Sequence, residues 1–172
     1  MPDKPPERYS PLWVSLHWAI AILLFIEFLL GLSTRYLPEE NWQAYVRLHM
    51  PLGILILFLM LIRILVRVMT PHPEPATSGN EFLDKIGVLT HYLLYILAIL
   101  MPLSGIALSI SIGLSPIQSN FISGLSWVPI AHRLVAPALG VLILMHIAAA
   151  LYHQFIMKDE LMSRMSYGSS DK

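Results

Sequence analysis

The stretch AHRLVAPALGVLILMHIAAALYHQFIMKDELMSRM, residues 131–165, decides the fold of this chain. Between His132 and Met157 it is almost continuously apolar, and about 20 such residues suffice for a helix to cross a bilayer. His132 and His146 lie 14 residues apart in it. Fourteen helical residues make about four turns and rise about 21 Å, so both imidazoles fall on one face near opposite ends of the span.

Three further apolar segments precede this one. The predicted spans cover approximately residues 12–32, 48–68, 86–112 and 130–157. Polar or Pro- and Gly-rich connections separate them. TRYLPEENWQAYVR (34–47) is predicted to be a polar turn, and GLSPIQSNFISGLSWVP (113–129) to hold a short interfacial helix. The sequence therefore predicts an all-α membrane protein, an up-down four-helix transmembrane bundle that forms a single domain over residues 1–172.

The composition supports lipid as the solvent. Of the 172 residues, 56% are hydrophobic and 13% are charged, whereas soluble domains are roughly 45–50% apolar and about 25% charged. The net charge is zero with His neutral and no basic stripe exists, which argues against nucleic-acid binding. The absence of cysteine excludes disulfides, iron–sulfur clusters and covalently attached haem. The first apolar run is too long for a signal peptide, so we expect a retained first span.

Lysine and arginine are distributed unequally between the two sides of the predicted bundle. Cytoplasmic loops of membrane proteins carry the excess of these residues. The side that holds both termini has Lys4, Arg8, Arg63, Arg67, Lys85, Lys158, Arg164 and Lys172, and the other side has Arg35, Arg47 and Arg133. The count predicts that both termini are cytoplasmic.

The histidines form a constellation. Four of the seven fall into two facing pairs by depth: His17 with His146 at the cytoplasmic level, and His49 with His132 at the outer level. A histidine inside the membrane indicates a functional site, because burying an ionisable side chain in lipid is costly. Two facing imidazoles can bind one haem iron axially, and a helical bundle can hold so large and flat a group. The alternative for each histidine is a neutral ring bonded to a backbone carbonyl.

Glycines recur at the same levels. Gly31 follows His17 by 14 residues, and Gly105 stands in the same relation to His91. Gly53 is one turn from His49, and Gly140 lies between the two histidines of the last span. Glycine lets a backbone approach a macrocycle closely, so Gly31, Gly53 and Gly105 are predicted to contact the cofactors. The alternative is small-residue packing between helices.

Other metals fit the pattern less well. Each level offers two nitrogen ligands, whereas structural zinc takes about four. The nine methionines suggest copper only if they cluster, and here they are scattered. A haem-free transporter or structural bundle remains as an alternative.

The residues resemble those of the bacterial cytochrome b561 family of four-helix, di-haem, quinone-reactive cytochromes. The resemblance covers about Ser15 to Met165. It is carried by SLHWAIA (15–21), VRLHMPLGILILFLMLIRILVR (46–67), HYLLYILAILMPLSG (91–105) and the closing stretch 131–165 with its KDxxxxRM motif.

This resemblance implies two haems b in the bacterial inner membrane. It implies that His17 and His146 ligate the cytoplasmic haem iron and that His49 and His132 ligate the periplasmic one. The family also places a histidine seven residues after the last ligand, here His153, at the quinone end. Some members are similar to a superoxide oxidase that passes electrons from superoxide to ubiquinone.

Several residues outside the ligand set receive roles as hypotheses. His153 is predicted to supply a hydrogen bond and a proton to the quinone. His91 is predicted to contact the quinone or a haem propionate, or else to cap its span. Arg133 and Arg47 adjoin the outer ligands and suit anionic propionates. Arg63 and Arg67 are interpreted as membrane anchors.

Glu27 lies ten residues after His17 in the first span, where a carboxyl group is either a proton relay or is protonated and bonded to a neighbouring helix. The second of these readings is preferred.

The sequence is compatible with three functions. The first is an oxidoreductase that passes electrons from a periplasmic donor, favoured to be superoxide, to ubiquinone. Arg35, Arg47 and Arg133 would steer that anion, opposed by Glu39 and Glu40. The second is a haem-carrying membrane anchor of a larger dehydrogenase, and the third is the haem-free bundle. The partners are then a quinone, a small electron donor, lipid, and either a second copy or a dehydrogenase.

Overall fold

The computed structural model describes residues 8–33, 36, 38–114 and 120–167, without the side chains at positions 39, 43, 120 and 121. All regular structure in these residues is helical. The long helices are α1 (Pro11–Ser33), α2 (Glu39–Met69), α3 (Glu81–Ser111) and α5 (Val128–Tyr152), with a short α4 (Asn120–Ser123) before the last. Four helices are long and apolar enough to cross a membrane, which confirms the predicted all-α transmembrane fold.

The chain closes on itself at one end of the bundle. α1 packs against α2, α2 against α3, and α3 most extensively against α5. The backbone N–H of Tyr9 donates to the carbonyl of Arg164 (3.2 Å), and the Arg164 guanidinium donates to the carbonyl of Glu74 (3.0 Å). The start of the described chain, the α2–α3 connection and the tail therefore meet at what we call the terminal end. Its assignment to the cytoplasm stays a prediction.

Two helices begin earlier than the hydropathy predicted. α2 starts at Glu39 rather than near residue 48, so the predicted polar turn is wrong for residues 39–47. Acidic residues favour a helix N-terminus, and a helix can continue beyond the lipid. α3 starts at Glu81 rather than near residue 86, because the Asn80 side chain accepts from the N–H groups of Phe82 and Leu83. Hydropathy reports the lipid-facing part of a helix, not its length.

A small apolar core separates the two ends of the bundle. Its buried members are Ile20, Ile56, Met60, Ala98 and Leu139. Leu139 lies seven residues from both His132 and His146, and Ala98 lies seven residues from both His91 and Gly105. The core thus occupies the middle level, about 10 Å along the helix axis from each histidine level. Most other large apolar side chains are exposed, as expected for a surface that faces lipid.

The tail folds back under the bundle. α5 runs into a π-helical turn, His153–Met157, and a 3₁₀ turn, Leu161–Met165. Lys158 and Glu160 between the turns both have φ of 55°, the left-handed conformation that reverses the chain. The Trp18 indole N–H donates to the carbonyl of Met165 (3.0 Å). The KDxxxxRM motif therefore shapes a folded segment at the terminal end.

Candidate functional site: two histidine pairs

Four helical histidines meet as two pairs across the bundle. At the terminal end, the rings of His17 on α1 and His146 on α5 have centroids 6.2 Å apart and planes inclined by 68°. At the opposite end, the rings of His49 on α2 and His132 on α5 have centroids 6.3 Å apart and planes inclined by 86°. We call these the terminal pair and the opposite pair. All four side chains are partly buried.

The ring separations suit one metal ion between the rings of each pair. An imidazole nitrogen lies about 1.2 Å from its ring centroid and about 2.0 Å from a bound metal, so two axial imidazoles hold their centroids about 6.4 Å apart. Both observed separations lie within a few tenths of an ångström of that value. No group of three or more His, Asp or Glu in the described part of the chain could hold a metal ion. Each pair could therefore hold one haem iron between its two imidazoles, whereas the described residues form no group of three or more ligands such as a zinc centre needs.

His91 also approaches the terminal pair. Its ring centroid lies 5.1 Å from that of His146, more than 1 Å too close for two axial ligands of one metal. Its Nδ1 lies 2.8 Å from the Gly87 carbonyl, which can only accept, so Nδ1 carries the proton. His91 is exposed and is placed to contact a group bound at the terminal pair rather than to replace His17.

A serine fixes the tautomer of His132. The Ser104 hydroxyl donates its one proton to the Met101 carbonyl (2.7 Å). Its oxygen also lies 2.9 Å from His132 Nδ1, so the ring must donate there. Nε2 of His132 therefore keeps its lone pair, as a metal ligand requires. No pattern in the sequence points to Ser104 itself, although it directly precedes Gly105.

Two of the predicted glycines lie against the opposite pair. A methyl group built on Gly31 would come 3.7 Å from Cε1 of His49, and one on Gly105 would come 3.2 Å from Cε1 of His132. The second distance is tighter than ordinary van der Waals contact. The absence of a side chain at Gly105 thus gives the His132 ring its room.

The other two glycines have different surroundings. A methyl group on Gly53 would meet none of the described atoms within 4 Å. On Gly140 it would come 3.3 Å from the Phe28 ring, so Gly140 permits close packing of α1 and α5 at the middle level. The contact of Gly140 is therefore small-residue packing between helices, the alternative to a cofactor contact.

A carboxylate lies against the opposite pair. Glu27 Oε2 on α1 is 2.5 Å from His49 Nδ1 on α2, and the Glu27 side chain is only 10% exposed. A bond to a neighbouring helix is the hypothesis preferred from the sequence, but nothing in the sequence identifies its partner as a member of a histidine pair.

His153 is held by an acidic partner at the terminal end. Its Nδ1 lies 2.5 Å from Asp159 Oδ2, and Asp159 Oδ1 accepts from the Leu161 N–H (3.1 Å). Partial burial alone would raise the pKa of Asp159, but the His153 and Leu161 hydrogen bonds outweigh it and lower that pKa. Asp159 is therefore ionised at neutral pH, and His153 presents its other ring nitrogen. π-helical turns such as this one often mark functional sites.

A cavity of about 570 Å³ adjoins this region. Trp18, Gln154, Met162 and Met165 are among the residues that line it. Gln154 Oε1 is buried, with no hydrogen-bond partner in the described part of the chain. Trp18 also packs edge-on against His17, with centroids 5.3 Å apart, which joins the cavity wall to the terminal pair.

The arginines divide into two groups. Arg47 and Arg133 are exposed at the opposite end, and Arg35 lies outside the described residues. The Arg63 guanidinium lies over the Trp13 ring and donates to the Tyr95 hydroxyl (3.2 Å). Arg63 therefore makes specific contacts inside the bundle. The interpretation of Arg63 as a membrane anchor does not account for these contacts.

Comparison with known proteins gives consistent matches along the chain. Residues 8–168 match the family model described as prokaryotic cytochrome b561. A cytochrome b562 from Cereibacter sphaeroides is 31% identical over 163 residues, covering 91% of this chain and 94% of that protein. Cytochrome b561 homolog 2 from Escherichia coli K12 is 32% identical, covering 96% and 94%. A probable superoxide oxidase, CybB, from Yersinia pestis is 28% identical, covering 92% and 96%.

Proposed function

The chain belongs to the prokaryotic cytochrome b561 family, and we propose that it holds two b-type haems and passes electrons from a small periplasmic donor to ubiquinone. Family membership makes it a haem-containing electron-transport protein that crosses the bacterial inner membrane several times. Family membership therefore argues against the alternative of a haem-free transporter or structural bundle.

The two ring separations of 6.2 and 6.3 Å carry this proposal. The terminal pair would ligate one haem iron and the opposite pair the other. When bound, the haems supply one-electron redox chemistry at two depths of the bilayer. The protein's part is to hold the imidazoles at the right separation and in the right tautomer, as Ser104 does for His132.

The donor is assigned to the opposite end. The similarity to a probable superoxide oxidase favours superoxide. Exposed Arg47 and Arg133 would attract an anion and suit haem propionates. Two superoxide ions would each lose one electron and leave as O₂, and one quinone would gain both electrons and two protons.

The quinone is assigned to the terminal end. His153, held by Asp159, would donate to a quinone carbonyl and deliver a proton. Gln154, which lines the adjoining cavity, has a buried amide oxygen that a quinol hydroxyl would satisfy. His91, exposed beside His146, would contact the quinone or a haem propionate.

An optical spectrum of the detergent-purified protein tests the proposal. We expect about two haems b per chain, with reduced bands typical of two axial histidines. The same oxidised sample should become reduced when superoxide is generated in it, and superoxide dismutase should prevent that reduction. A colourless protein, despite ample haem during expression, would overturn the haem assignment. A coloured protein that superoxide does not reduce would overturn only the donor.

Gly105→Ala should reduce haem occupancy at the opposite pair. The new methyl group would press on the His132 ring from 3.2 Å, and shifting that ring disturbs both its ligand geometry and its bond to Ser104. Disturbing the hydrogen bond that orients a metal-binding histidine typically costs about 10–100-fold in metal affinity. Haem per chain, measured as external haem is diluted, should fall toward one. Gly87→Ala on the same helix is the control, since its methyl group meets no described atom within 4 Å. Equal haem retention in both variants would contradict the prediction.

A further inference from the structure

Glu27 is a buried acidic side chain beside the opposite pair. Its side chain is 10% exposed, and its position on α1 lies well inside a membrane-spanning helix. Burying a carboxylate away from water is costly unless a partner compensates it. His49 Nδ1, 2.5 Å from Oε2, is that partner. The other oxygen, Oε1, has no hydrogen-bond partner among the described residues.

The contact joins two different helices, α1 and α2. The His49 N–H is not aligned well enough with Oε2 to form a regular hydrogen bond, so the contact is at ion-pair distance only. The ring torsion of histidine is broad, and a modest rotation would align the two groups. Nδ1 would then carry the proton and Nε2 would keep the lone pair for a metal.

This partner distinguishes His49 from the other pair members. His132 Nδ1 meets the neutral hydroxyl of Ser104. In the described part of the chain, no carboxylate lies within ion-pair distance of His17, His132 or His146. A carboxylate on the outer nitrogen of a metal-bound imidazole fixes the ring and makes it a stronger electron donor. A stronger donor favours ferric over ferrous iron.

We infer that Glu27 is a positioning residue for His49, and that it lowers the reduction potential of the haem at the opposite pair relative to the same site without it. The inference rests on the proposed function, because it concerns the haem that His49 would ligate. A lower potential at the opposite end makes it easier for an electron that enters there to continue toward the terminal pair. Glu27 would thus bias electron flow toward the quinone.

Glu27→Gln tests the inference, because it keeps the shape and removes the negative charge. Full-length protein in nanodiscs is titrated spectroelectrochemically, and the haem that survives in His146→Ala identifies the opposite site. We expect the midpoint potential of that haem to rise by about 59 mV or more, the equivalent of a tenfold loss of ferric preference for a one-electron couple. The other haem should keep its potential. The g-values of the ferric opposite haem should also change.

The controls separate the possible outcomes. Glu27→Asp should restore part of the shift, and Glu81→Gln, an exposed carboxylate paired with Lys85, should change neither potential. Loss of the opposite haem alone in Glu27→Gln would also support the positioning role. Unchanged potentials and g-values, or loss of both haems together, would overturn it. A wild-type protein without two haems would instead refute the proposed function.

Discussion

Replacing either member of one histidine pair by alanine is expected to remove one haem per chain and to leave the other haem in place. His49→Ala and His132→Ala should each empty the opposite pair. His17→Ala and His146→Ala should each empty the terminal pair. One remaining imidazole offers the iron a single axial bond, whereas the fold places two at the separation of 6.2 or 6.3 Å that axial ligation needs. Haem per chain, measured on purified protein, should fall from about two to about one.

Double variants test the pairing itself. His49→Ala with His132→Ala should still leave one haem, because both residues serve the same site. His17→Ala with His132→Ala should leave none. His72→Ala is the control, because His72 lies in the α2–α3 connection and stacks on Trp13 rather than facing a pair. One haem in the cross-pair variant would contradict the assignment.

The histidines of the last span show how much of the site could be predicted from the sequence. The 14-residue spacing fixed the levels of His132 and His146, because helix rise and turn are nearly constant. The partners His17 and His49 then followed from the alternating direction of four spans. The structure brings the same four residues together in the same pairs. Depth along a helix is thus readable from a sequence when the helix must cross a layer of known thickness.

Contacts that depend on rotation between helices could not be predicted in the same way. The position of Glu27 along α1 does not show which neighbouring helix its side chain faces, and its partner is His49 on α2. One turn separates Glu27 from Gly31, and Gly31 lies at the level of His49. This spacing could have predicted that Glu27 lies near the outer histidine pair.

Asp159 was also missed, for a different reason. It reaches His153 only because a π-helical turn and the left-handed residue Lys158 reverse the chain between the two. Nothing in hydropathy or period encodes that reversal. The KDxxxxRM motif that contains Asp159 indicates a family resemblance, but it does not predict the conformation of the tail.

His153→Ala is expected to slow quinone reduction by about 10²–10⁴-fold, the usual contribution of a positioned proton donor. Both haems should stay bound. His153 lies seven residues beyond His146 and makes its one described polar side-chain contact with Asp159. Its loss should therefore spare the haem ligands. The rate is measured by mixing pre-reduced protein with a short-chain ubiquinone in a stopped-flow spectrometer and following haem oxidation.

Asp159→Asn separates proton delivery from structure. The low pKa of Asp159 keeps its carboxylate charged at neutral pH, where it orients the His153 ring through Nδ1. The amide keeps the shape but not the charge, so we expect a smaller loss of rate than in His153→Ala, again with full haem content. Glu81→Gln, a carboxylate on the same end of the bundle, should keep the wild-type rate. If His153→Ala reduces quinone at the wild-type rate, the acceptor binds elsewhere. If instead both variants lose the haem of the terminal pair, the pair His153–Asp159 supports the fold of the tail rather than the quinone.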